Sequence, residues 1–445
     1  MKPREFLFIA SRQAVLVAVL IAAGSALAVG AKYGVIYRFQ GSPDGAGPNS
    51  PLIADQAGNL YGTTQNGGSS RNCFEGCGTV FRFTPPAKKG GAWKGTILHS
   101  FNGDDGYSPT PSPLVFDQAG RLYGAAANNV FQLTPPAKGK GPWTETVLYT
   151  FTNGNDGGHP NGVIFDNAGN LFGTTQTGGQ YGQQGAGTVF ELTPKGNTWS
   201  ETTLYSFQLI KDGNHPSGLV FDGKGNLYGA NTGDDVTCTP KFPFSCGTVF
   251  ELEAKGGSWA YKEIHAFQGF NDASYPNFSA LVFDQLGNLY GTTGGTGGTG
   301  NVVSQDNEGT VFELTPPVTQ GGSWTETLLH HFPRPGGIDG SYPIGNVIFD
   351  SSGNAYGVTF YGAGNTKDLC VGRGCGIVFE LKPPIKKGGV WGEVRLHDFT
   401  TGSDGANPSA GLLIGSGGAI FGTTAFGGGS SACQDGCGTV FELVP

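Results

Sequence analysis

Residues Val163–Phe207 read VIFDNAGNLFGTTQTGGQYGQQGAGTVFELTPKGNTWSETTLYSF, and the chain writes the same unit seven times. Each unit opens with a short apolar run that usually ends in Asp and continues into a G-N-L-Y-G core. A glycine-rich loop leads from the core to G-T-V-F. A Pro/Lys/Gly loop then leads to a segment ending in Leu-(His/Tyr)-x-Phe. Four short apolar runs per unit, separated by turn residues, are the pattern of a propeller blade.

The cores begin at Gly58, Gly120, Gly169, Gly225, Gly287, Gly353 and Gly418, and partner strands follow at Val80-Phe81, Val130-Phe131, Val189-Phe190, Val249-Phe250, Val311-Phe312, Val378-Phe379 and Val440-Phe441. The turn into six of the seven cores is D-x-x-G, as in Asp166-Asn167-Ala168-Gly169. Asp at the first turn position bonds the backbone and Gly at the fourth takes a positive φ, so these are type I turns rather than calcium loops, which need more oxygen ligands. Trp93, Trp143, Trp199, Trp259, Trp324 and Trp391 open the fourth strand of six units, and the chain ends at Pro445 before a seventh. Val35-Ile36-Tyr37-Arg38-Phe39 matches the missing strand in all but the Trp. The expected fold is therefore all-β: a seven-bladed β-propeller of four-stranded blades, its ring closed by the N-terminal strand pairing with Thr439–Leu443.

Composition agrees with many turns around an aromatic core: 79 Gly, 31 Phe, 15 Tyr and one Met in 445 residues, with 13% charged. Lys2, Arg4 and Arg12 precede an apolar run from Ala14 to Ala23 and then Ala26-Leu27-Ala28. This is a secretory signal peptide over 1–28, leaving 29–445 as one propeller domain. The alternative is an uncleaved anchor, for which the run is short and interrupted by Gly24 and Ser25. No other stretch is apolar enough to span a membrane. Loss of the leader removes Lys2, Arg4, Arg12 and Glu5 and moves the formal charge from −8 to −10. An acidic chain argues against nucleic acid as partner.

Eight cysteines fall in close pairs, Cys73/Cys77, Cys238/Cys246, Cys370/Cys375 and Cys433/Cys437, and no His lies inside these loops. In an exported chain this reads as four local disulfides rather than zinc sites. Loops so short gain little from bridging, so the bridges shape loops more than they hold the fold.

The G-N-L-Y-G-T-T and G-T-V-F-E-L-T-P pair resembles the GloVer repeat of the choice-of-anchor tandem repeat proteins, over nearly the whole mature chain. The resemblance implies export from a bacterial cell and implies no particular activity. Such proteins often carry a C-terminal anchoring segment, whereas this sequence ends with its last blade.

In this connectivity the loops into the first strand and the loops from second to third strand share one face. The former carry a D-G-x-x-P-like motif, with Asp44, Asp105, Asp156, Asp212, Asp272, Asp339 and Asp404 each four residues before Pro. These carboxylates either ring the channel mouth as a cation or polyhydroxyl site, or cap their own turns. The residue before Pro varies: Gly47, Ser108, His159, His215, Tyr275, Tyr342 and Asn407. Variation within a constant motif is where a rigid scaffold carries function, so these side chains are candidate ligand contacts, with packing against the neighbouring loop as the alternative. The second-to-third strand segments hold 13, 1, 11, 15, 15, 16 and 13 residues in blades one to seven. Blade two should leave a notch in the rim, where a ligand would meet Tyr107, Ser108 and His159.

His99, His265, His330 and His397 share the outer-strand register of Tyr37, Tyr149 and Tyr205, which reads as half-buried structural aromatics. No G-x-S-x-G, H-E-x-x-H or phosphate-binding loop is present. The expected function is an exported binding or interaction module for carbohydrate or protein, with no catalytic residue, cofactor or metal, acting as a monomer. The alternatives are a secreted polysaccharide-acting enzyme, glycosidase or lyase, and a structural protein of the cell envelope.

Overall fold

The computed structural model describes residues 26–27 and 30–445 apart from 89, 138, 140, 183–184, 234–245, 270–272, 277–280, 296–308, 320, 333–337, 364–369, 371–372 and 387. The repeats form seven antiparallel sheets whose strands follow chain order from the ring centre outward. Blade three is the most regular, with strands Gly158–Phe165, Leu171–Thr177, Gly185–Lys195 and Thr198–Gln208. A single helical turn, Leu209–Asp212, lies outside the strands described.

The local cause of the blade is visible in the core motif. In blade four, Gly229 pairs with Phe250, and a Cβ on Gly229 would stand 2.6 Å from Phe250 Cζ. The glycine leaves room for the partner-strand ring to lie flat over the sheet, and that Phe is fully buried in all seven blades. Each such ring contributes roughly 2–3 kcal/mol of burial. The Asp turns form as expected: Asp166 Oδ1 accepts from the N–H groups of Ala168 and Asn170, and Oδ2 accepts from the Asn170 amide. Blade seven has Gly415 in place of this Asp and keeps the backbone bonds, Gly418 N to Gly415 O and Gly415 N to Ala419 O, without the carboxylate ones.

Cores lie between blades. The outer-strand Trp of one blade packs edge-on against the second-strand aromatic of the blade before it, as Trp143 on Tyr61, Trp199 on Tyr123 and Trp259 on Phe172. The ring closes through Lys32–Arg38, which pairs antiparallel with Thr439–Val444 in the register Lys32↔Val444 to Arg38↔Thr439. Phe39, fully buried, then enters the cluster shared by blades seven and one, 5.3 Å from Phe81. Most of the expected leader lies outside the described residues; Ala26–Leu27 pairs in parallel with Val394 and Arg395 at the outer edge of blade six. No helix among the described residues is long and apolar enough to cross a membrane.

Candidate functional site

Up-and-down connectivity brings the two loop sets to one face, where they bond: Gly179 N donates to Gly154 O at 2.8 Å, and Gly428 N to Gly402 O at 3.0 Å. Three disulfides brace this face, Cys73–Cys77, Cys370–Cys375 and Cys433–Cys437. Cys246 is also bridged, while Cys238 lies outside the described residues.

Asp105, Asp156 and Asp212 of the D-G-x-x-P motif bond within their own turns and to the preceding outer strand. Asp156 Oδ2 accepts from Thr152 N at 2.8 Å and from the Tyr149 hydroxyl at 3.2 Å. Asp105 takes Asn102 N at 2.8 Å and lies 3.0 Å from His99 Nε2. Asp212, buried, takes Gln208 N and the Tyr205 hydroxyl at 2.9 Å. The carboxylate caps its turn and is gripped by the outer-strand Tyr or His of the preceding blade, so it faces away from the axis. Asp272 lies outside the described residues. The channel wall itself holds a small cavity of about 70 Å³ lined by Pro, Ser, Asn, Gly and apolar residues, including Ser112, Asn161 and Asn346.

The variable position before Pro has an unexpected backbone. All seven residues have left-handed φ: Gly47 62°, Ser108 44°, His159 55°, His215 49°, Tyr275 57°, Tyr342 58° and Asn407 52°. For six side-chain-bearing residues, two of them Tyr, this costs roughly 1–2 kcal/mol each. The compensation is an inter-blade bond. Gly47 N, Ser108 N and Asn407 N donate to the carbonyls of Cys437, Cys77 and Cys375 in the preceding blade at 3.0, 2.9 and 2.7 Å. Each acceptor is the second cysteine of a bridge. Blade two lacks that loop, and there Asn128 Oδ1 accepts from His159 N at 3.1 Å. The side chains then diverge. His159 and Tyr342 are exposed, Tyr275 packs against the core between blades four and five, and Asn407 is buried with its amide donating to Phe360 O.

Tyr107 is 48% exposed beside Ser108, yet the blade-two notch lines none of the large clefts described. Two clefts instead adjoin across the ring, over blades six, seven and one. One, of about 240 Å³, holds Tyr361, Arg373, Asn407, Phe426 and Asp435. The other, of about 760 Å³, lies between the bridged loops 73–77 and 433–437 and holds Arg71, Phe74 and Glu75, and again Phe426 and Asp435. Phe74 is 93% exposed and Phe426 39%. The Arg373 guanidinium sits 5.2 Å above the Tyr361 ring, and Tyr342 meets Tyr361 edge-on at 6.2 Å. Of the seven variable positions before Pro, Asn407 lines the smaller cleft and Gly47 the larger. The available signal was the bridging itself: three bridged loops become neighbours once the ring closes between blades seven and one.

A second set of groups escaped the sequence reading. Beside each outer-strand His or Tyr stands a residue from the next blade: Glu145 near Asp105, Glu326 Oε2 at 3.6 Å from His265 Nε2, and Glu393 Oε2 at 3.4 Å from His330 Nε2. Burial and the neighbouring Asp105 push Glu145 up to about 7; burial and Asp339 push Glu393 up to about 8, against the opposing pull of Arg395. Burial lowers His330 to about 4. A third cleft, of about 550 Å³, carries Asp156, Tyr181, Glu201 and Tyr205. There burial and Asp156 raise Glu201, with Thr203 opposing, while hydrogen bonds outweigh burial and hold Asp156 below the ordinary carboxylate range. Among the described residues no cluster of His, Cys, Asp and Glu is arranged to hold a metal ion.

A closed ring of seven four-stranded blades, with one loop-bearing face braced by disulfides, defines the chain as a seven-bladed β-propeller repeat protein. Residues 127–367, more than half of the 445, match the Gloeobacter/Verrucomicrobia repeat, and the chain belongs to that family. No curated protein matches it. Among solved structures it is similar to a streptogramin B lyase, with 13% identity, TM-score 0.51, and coverage of 93% of this chain and 97% of that one. It is likewise similar to a catalytically inactive virginiamycin B lyase from Staphylococcus aureus solved with quinupristin, with 13% identity, TM-score 0.52, and coverage of 93% and 99%. At such identity the likeness is one of fold.

Proposed function

We propose that the protein is an exported binding module that takes a carbohydrate or protein ligand on its bridged loop face. The observation that carries this reading is the pair of adjoining clefts over blades six, seven and one, which share Phe426 and Asp435 and expose Phe74 on a bridged loop. Exposed aromatics on a fixed backbone bind with little ordering cost. The disulfides suit an oxidising compartment, which supports export. Purified 29–445 applied to glycan and peptide arrays tests the reading: binding weakened by Phe426→Ala supports it, and silence on both arrays refutes it.

A polysaccharide-acting enzyme is the second reading, favoured by the third cleft, where Glu201, shifted up by burial, and Asp156, shifted down by its hydrogen bonds, line the same space. Release of reducing ends from a polysaccharide panel, lost in Glu201→Gln, would support it.

A further inference from the structure

The two adjoining clefts differ from the rest of the face in chemistry as well as depth. Their charged residues balance, Arg71 and Arg373 against Glu75 and Asp435. A lining without net charge gives no attraction for an anionic polymer, and the chain's formal −8 opposes one. The aromatic residue common to both clefts is Phe426, and Phe74 stands at the far side of the larger one. Arg373, carried over the Tyr361 ring, lines the smaller cleft with a guanidinium donor fork, and Asp435 lines both clefts with a carboxylate acceptor.

The backbone of the bridged loops is closed on itself. Gly67 N donates to Glu75 O at 2.7 Å, Gly427 N to Asp435 O at 2.8 Å and Gly362 N to Arg373 O at 2.7 Å, the same bond in blades one, seven and six. Those three donors are taken and cannot pair with an extended peptide, which favours recognition through side chains. Side chains that offer ring faces, a guanidinium fork and a carboxylate suit a ligand with apolar C–H faces and many hydroxyls. The larger cleft, about 760 Å³, lies within the roughly 300–1,000 Å³ range of a small-ligand site, and the smaller, about 240 Å³, adjoins it through the shared Phe426 and Asp435.

Building on the binding-module reading, we infer that this groove takes an uncharged oligosaccharide chain across two adjoining subsites, with Phe426 as the stacking platform they share. Phe74 is the platform at one end, reached only by longer chains.

The test is calorimetric titration of purified 29–445 with linear β-1,4-linked gluco-, manno- and xylo-oligosaccharides of increasing length, with oligogalacturonate as the charged control. At least one neutral series binds, and affinity rises about tenfold from disaccharide to the longest chain. Phe426→Ala lowers affinity at every length by about tenfold while the melting temperature stays within a few degrees, since the ring is already part-exposed. Phe74→Ala weakens only the long chains. Affinity that is flat with length, a preference for oligogalacturonate, or indifference to Phe426→Ala overturns the inference. Glycan binding that survives Phe426→Ala but is lost in Tyr107→Ala or His159→Ala overturns it and leaves the binding module standing, as does binding to a peptide array alone. Silence toward both overturns both.

Discussion

Replacing Glu393 by Gln should make the protein more stable in alkali than the wild type, and the size of the gain follows from where the carboxyl sits. Glu393 projects from the outer strand of blade six into the junction with blade five, its side chain 6% exposed and Oε2 3.4 Å from His330 Nε2. Burial and the facing Asp339 raise it to about 8, while burial drives His330 down to about 4, so at neutral pH both groups are uncharged. An acid raised on folding adds stability that is complete below its unfolded value near 4.5 and is lost as pH rises through about 8. A fully linked group loses about 1.4 kcal/mol per pH unit in that window. Allowing for relaxation of the junction, the loss between pH 5 and pH 9 is on the order of 3 kcal/mol. Gln keeps the shape and never ionises. Urea unfolding at pH 5, 7 and 9 should give near-equal stabilities at pH 5 and an advantage for Glu393→Gln that grows with pH. Comparing two proteins at each pH cancels the contribution of every other titrating group. A variant weaker than wild type at pH 6–7 would mean that Glu393 is ionised and paired with a charged His330, and would refute the reasoning.

Deleting residues 30–40 should open the ring, because it removes the outer strand of blade seven and the buried Phe39; Phe39→Ala alone should cost about 3–5 kcal/mol. An unchanged melting temperature for the deletion refutes the closure. Tyr342, held at φ 58°, should tolerate Asn, the residue blade seven uses at the same register, and resist Val, whose branched Cβ fits that backbone poorly. Thermal melts should separate the two variants by about 1 kcal/mol or more, and equal melts would show that the left-handed conformation carries no strain.

Much of the fold was legible because its determinants are local. A D-x-x-G turn is decided within five residues, and a glycine opposite a phenylalanine within one hairpin, so seven copies of the sentence implied seven blades. The missing Trp strand, matched by residues 35–39, even located the closure. The left-handed backbone before Pro was half-visible: Gly47 and Asn407 at one register are the residues that most readily adopt it, but the His and Tyr of sibling blades masked the signal.

The candidate site was not local. Asp105, Asp156 and Asp212 were rightly placed in their loops, but which way each carboxylate turned depended on a Tyr or His six or seven residues earlier in the preceding blade. His330 and Glu393, 63 residues apart, meet only across a blade junction, and burial there sets their protonation. Phe74 and Phe426, at opposite ends of the chain, border one groove only because the ring closes between the last blade and the first. The repeated sentence alone decided the blade, since each blade is made by contacts within a hairpin. Only the closed ring decided the groove, since a surface shared by three blades forms where distant repeats are forced side by side.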